Sequence, residues 1–100
     1  SDYLAQTAVK YDATNWKKSI GTQKWIALYT KGFEAWSSWR LLDYPAMNVA
    51  EMSGLPVPRR YLYGNDDAQI NGDNYDAASA AMGGDALDSR VFWDITGQGN

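Results

Sequence analysis

The chain is 100 residues long, enough for one modest domain, and its 45% apolar share is too high for a disordered segment. Its net charge is −3 and its basic pairs, Lys17-Lys18 and Arg59-Arg60, are short, which excludes a general nucleic-acid surface. Cysteine and histidine are both absent, which excludes disulfides, thiolate and imidazole metal sites, and Ser-His or Cys-His nucleophile pairs.

The chain opens on Ser1-Asp2-Tyr3-Leu4 without an initiator methionine, as a segment cut from a longer protein would. Tyr3, Leu4, Ala8, Val9 and Tyr11 fall close to helical spacing and predict a short amphipathic helix over residues 2–12. Asp12 to Asn15 is a polar break. From Trp16 to Leu42 the pattern predicts one long helix. On a wheel of about 100° per residue, Trp25, Ile26, Leu28, Tyr29, Gly32, Phe33, Trp36 and Trp39 share one broad face. Gln23, Ala27, Thr30, Lys31, Glu34 and Ser38 fall opposite. Gly32 within the stripe costs about 1 kcal/mol against Ala, so a close helix–helix approach is expected there. Arg40 lies near Trp36 and reads as a structural ion pair or a guanidinium laid on that ring, in preference to a ligand-gripping cation.

Asp43-Tyr44-Pro45 ends this helix, because proline disfavours helix in the residue before it. A loop-rich stretch follows to about residue 70. Within it Pro58-Arg59-Arg60-Tyr61-Leu62-Tyr63 alternates weakly, like a short extended edge. Gln69 to Met82 reads as an Ala-rich helix broken by Gly83-Gly84. Ser89 to Ile95 reads as extended or packed against the long helix, and Thr96 to Asn100 as a frayed end. No apolar run is long enough to span a bilayer.

Chemistry-bearing residues are sparse. Glu34 and Glu51 are the only glutamates, and neither suggests a pocket for a carboxylate pair. Asn65-Asp66-Asp67-Ala68-Gln69-Ile70-Asn71-Gly72 starts like a calcium loop, but Ala78 stands where its bidentate Glu must be. Turn and capping chemistry account for these residues, so no metal and no cofactor are expected. Tyr44, Tyr61, Tyr63 and Tyr75 lie in or beside loops. They are the candidate ligand-binding residues, because rings stack on the apolar faces of sugars. Capping the core with hydroxyls in water is the competing role for each.

A set of sequence words supplies the sharper reading. Gln23-Lys24-Trp25-Ile26-Ala27-Leu28-Tyr29, Gly32-Phe33-Glu34-Ala35-Trp36, Trp39-Arg40 and Tyr44-Pro45 stand in order. Pro58-Arg59-Arg60-Tyr61-Leu62-Tyr63, then Asn71, Asn74 and Tyr75, then Asp88-Ser89-Arg90-Val91-Phe92-Trp93-Asp94 follow. This series resembles the C-terminal region of the SusD/RagB family of outer-membrane nutrient-binding lipoproteins. Leu41-Leu42-Asp43, Gly64, Asp67 and Phe92 depart from the family pattern.

The resemblance implies a mainly α fold, with residues 1–100 forming the C-terminal part of a larger tetratricopeptide-like helical domain. It implies non-catalytic capture of a glycan, or in some relatives a peptide. Delivery would be to a SusC-like TonB-dependent outer-membrane transporter. It places the protein at the outer-membrane surface, held by a lipid anchor outside this sequence. Gln23, Lys24, Trp25, Gly32, Glu34, Trp36, Arg40, Pro58, Arg59, Arg60, Asn71, Trp93 and Asp94 would then be scaffold residues. A stand-alone carbohydrate-binding or protein-interaction module, and a carboxylate-dependent hydrolase, are the alternatives.

Overall fold

A computed structural model of the chain describes residues 2–94, which fall into two compact units, 2–47 and 48–94. Every regular element among the described residues is a helix: α1 (Asp2–Ala5), α2 (Trp16–Ala27), α3 (Gly32–Leu42), α4 (Asn65–Ile70) and α5 (Gly72–Ala81). None is long and apolar enough to cross a membrane. The tail Thr96 to Asn100, expected to fray, lies outside the described residues, as does Ile95.

In the first unit the helix expected over 2–12 is only one turn, α1, followed by turns over residues 6–10. The Asp12 carboxylate accepts from the Thr14 N–H at 2.9 Å, the Thr14 hydroxyl at 2.6 Å and the Asn15 amide at 3.2 Å. The Asp12 N–H donates to Ser19 Oγ at 3.1 Å. This knot of short polar side chains sets the entry to α2, as expected where such residues compete with helical bonding.

The single long helix expected over 16–42 is instead two helices, joined at residues 28–31 and packed on each other. The connection tightens through Tyr29 N–H to the Ile26 carbonyl at 3.2 Å and Lys31 N–H to the Leu28 carbonyl at 2.8 Å. A four-residue turn is close to one helical period, so the apolar pattern stays in phase across the break and hides it.

The packing face also differs from the expected ring stripe. On α3 the buried residues are Ala35, Ser38, Trp39 and Leu42, at i, i+3, i+4 and i+7. Ser38, expected on the polar face, is inside. Tyr29 is 90% exposed and Phe33 74% exposed, although both belong to the stripe. Ala35 and Ser38 let the chain approach beside the buried Trp39, while Tyr29 and Phe33 stand to the side. The close contact is at Gly21, where an added Cβ would lie 2.8 Å from Tyr44 Cβ and 3.0 Å from the Tyr44 carbonyl oxygen. Gly32 has open space around it, so the expected close approach there is corrected to Gly21.

Helix α3 stops at Asp43, whose φ of 60° is left-handed and whose N–H donates to the Trp39 carbonyl at 2.7 Å. The chain then turns through a cis Tyr44-Pro45 bond, and the Trp39 indole N–H donates to the Pro45 carbonyl at 3.1 Å.

In the second unit, α4 begins with the Gly64 N–H donating to the Asp67 carboxylate at 3.0 Å. The expected helix over 69–82 is largely α5, with α4 packed beside it. The chain leaves α5 through Gly83 and Gly84, whose φ values of 78° and 124° suit glycine alone, and the Gly84 N–H caps the Ser79 carbonyl at 2.9 Å. The segment 58–63 forms no strand; its backbone is tied to the Leu87 carbonyl, which accepts from Arg59 N–H at 2.7 Å and Arg60 N–H at 3.2 Å. Residues 91–94 form a turn closed by Asp94 N–H to the Val91 carbonyl at 2.9 Å, so of the two expectations for 89–95, extended or packed against the long helix, the extended one does not hold there.

Candidate functional site

Buried ion pairs surround Arg59 and Arg60. Both side chains are almost fully buried, and a buried guanidinium must find acceptors. Arg59 Nη1 donates to Asp94 Oδ2 at 2.8 Å, and Arg90 Nη1 donates to Asp94 Oδ1 at 2.6 Å. The Asp94 side chain is wholly shielded from solvent. Arg60 Nη1 donates to Asp85 Oδ1, and its guanidinium sits 4.7 Å from the ring centroid of Tyr63. Adjacent arginines thus reach two different carboxylates.

Asp85 gathers a second layer of contacts. Its Oδ2 accepts from the Tyr75 hydroxyl at 3.3 Å and its Oδ1 from the Tyr63 N–H at 3.4 Å. The Tyr63 and Tyr75 rings meet edge to face at 5.8 Å. The hydrogen bond from Arg60 holds the Asp85 carboxyl below its ordinary range. Burial, then the charge of Asp85, pushes the Tyr75 hydroxyl up, so it stays protonated and donating. A carboxyl with a lowered folded-state pKa contributes stability above the unfolded value, and that contribution is lost as the pH falls through the folded value. Unfolding midpoints should therefore fall as the pH drops below about 4. In Asp85→Asn that part of the acid slope should be missing, measured by denaturant titrations across the pH range.

The four candidate tyrosines separate. Tyr63 and Tyr75 are joined in the arginine cluster as packing and hydrogen-bonding groups. Tyr44 is half-buried against Gly21 in the first unit. Tyr61 remains 71% exposed, one residue beyond the anchored Arg60. The missed participant is Asp85. No helical or strand spacing links it to Arg60, 25 residues earlier.

Other marked residues also find places. Arg40 lies over Trp36 with its guanidinium carbon 3.8 Å from the ring centroid, as the cation–π reading expects. The Tyr3 hydroxyl donates to Gln23 Oε1 at 3.0 Å, and Glu34 sits beside Lys31 in an exposed pair at 4.0 Å. Lys24 is exposed, Trp25 half-buried and Pro58 exposed. Trp93 is partly exposed beside the buried Asp94. Asn71 precedes α5 and accepts from the Asn74 amide at 2.6 Å. The stretch that starts like a calcium loop is α4 and the opening of α5.

These features define an all-helical scaffold whose irregular segments are braced by buried arginine–carboxylate contacts. The chain belongs to the SusD-like family described as "Starch-binding associating with outer membrane", which its sequence matches over residues 1–64. It is similar over 94% of its length to a SusD-like protein of Bacteroidetes AC2a, with 28% identity and a TM-score of 0.77. It is also similar over 86% of its length to a chitin-binding protein, with 37% identity and a TM-score of 0.66. It spans 20% of each of those two solved chains. No curated protein sequence matches it.

Proposed function

We propose that the protein carrying this chain is a non-catalytic receptor that captures a glycan at the outer membrane and passes it to a TonB-dependent transporter of the SusC-like kind. The family match over residues 1–64 carries this reading. The description of the family and the name of one similar structure speak for starch- or chitin-type oligosaccharides. Residues 1–100 act as the C-terminal part of a larger helical domain, with a lipid anchor carried elsewhere. A peptide cargo is the second ligand class. The arginine clusters favour scaffold over catalysis, because both oxygens of Asp94 are occupied by arginine donors and those of Asp85 by Arg60 and the Tyr75 hydroxyl.

Within this chain the binding role falls to Tyr61. Its backbone follows two anchored arginines, which reduces the ordering cost of presenting a ring. Titration of malto- and chito-oligosaccharides into the full-length protein tests the reading. Tyr61→Ala should weaken the preferred oligosaccharide about three- to tenfold, the worth of one aromatic contact, in protein that still unfolds cooperatively. If neither oligosaccharide binds, and the protein does not co-purify with a TonB-dependent transporter, the reading fails.

A further inference from the structure

The first unit contains a polar groove that the glycan-receptor reading does not require. It has a volume of about 320 Å³, at the small end of ligand pockets, and runs between residues 7–12 and the first two turns of α2. Its wall includes Lys10, Asp12, Asn15, Lys18, Thr22 and Gln23, and no aromatic ring.

The groove is biased toward donors. Asp12 is occupied by Thr14 and Asn15, whose hydrogen bonds hold its carboxyl below the ordinary range. Ser19 Oγ already accepts from the Asp12 N–H, and Gln23 Oε1 from the Tyr3 hydroxyl. The strongest acceptors in the wall are therefore engaged within the chain. What remains includes the Gln23 amide N–H groups and two ammonium groups. Neither Lys10 nor Lys18 is paired with a carboxylate among the described residues. The two lysines outnumber Asp12, the one carboxylate of the wall, so in a chain of net charge −3 the groove carries a net charge of about +1.

From this pattern we infer that the groove binds a carboxylate-bearing sugar residue, such as a uronic acid within a glycan. The carboxylate lies between Lys10 and Lys18, and Gln23 and Thr22 take ring hydroxyls. The absence of a ring in the wall argues against a neutral sugar held by stacking. The inference rests on the glycan-receptor reading but concerns a different set of residues from Tyr61.

Isothermal titration of the full-length protein with digalacturonate, and separately with neutral malto- and chito-oligosaccharides, tests it. Digalacturonate should bind, and more weakly as salt rises. Lys10→Gln and Lys18→Gln should each weaken it roughly tenfold, the size of one charge-assisted hydrogen bond. Neutral-sugar binding and the melting temperature should not change. Lys10→Arg with Lys18→Arg should restore much of the affinity. If digalacturonate does not bind, or binds equally well to the Lys→Gln variants, the inference is overturned while the neutral-glycan reading stands. Competition by inorganic phosphate at equal affinity would overturn it too, by showing a site for any small anion. Loss of neutral-sugar binding alone would instead count against the receptor reading.

Discussion

Asp94→Ala should destabilise the protein by about 3–5 kcal/mol, the cost of breaking a buried ion pair by removing one partner. The carboxylate is shared by Arg59 and Arg90, and Arg59 is almost fully buried, so its charge cannot turn out to water without moving the chain around it. The denaturation midpoint should fall with little change in its slope. Asp94→Asn tests the source of the loss: it keeps an acceptor but removes the charge, and should recover only part of the stability. An Asp94→Ala stability within about 0.5 kcal/mol of the parent's would mean that the pairing of Asp94 with Arg59 and Arg90 carries no structural weight, since changes of that size are typical of surface sites.

The second large effect is expected at Gly21. Gly21→Ala adds one methyl that would meet Tyr44 Cβ at 2.8 Å and a backbone oxygen at 3.0 Å. Neither atom is the movable end of a side chain, so backbone must shift. Overpacking of this kind costs about 1–3 kcal/mol, against a gain of about 1 kcal/mol from alanine's better helix propensity. The net result should be a loss, and Gly21→Leu should lose more. Gly32→Ala is the matched control, because nothing lies within 4 Å of its added Cβ. It should be neutral or slightly stabilising. Thermal melts of the three variants decide the matter: a Gly21→Ala melt at or above the parent's would show that the hairpin does not need the close approach.

How far the sequence could be read depended on the range of the signal. The helical class was legible, because Trp16 to Leu42 carries apolar residues at helical spacing. The proline after Tyr44 marked the end of α3 for a local steric reason. The break between α2 and α3 was not legible, because its length matches one helical turn. That same blindness placed the close contact at Gly32 instead of Gly21. It also gave Tyr29 and Phe33 an inward face that they do not have.

Long-range polar pairing was the other gap. Arg59 and Asp94 both lie in segments that resemble the family, but no rule of spacing joins residues 35 apart in sequence. Asp85 had no word of its own, although Arg60, Tyr63 and Tyr75 all converge on it. Of the candidate rings, sequence supplied loop position alone. Their contacts were needed to separate Tyr61 from Tyr63 and Tyr75, whose rings meet each other beside Arg60 and Asp85.

The Arg59-Arg60 step also bears on degradation. A trypsin-like protease must take an arginine side chain into its specificity pocket and lay the flanking backbone out as an extended substrate. Here both side chains point into the protein, and both amide hydrogens are held by one carbonyl, that of Leu87. The most conspicuous dibasic cleavage site in the sequence is therefore closed to digestion while the second unit stays folded. Where reclosing outruns cutting, the rate of cleavage at that step reports how often the unit opens.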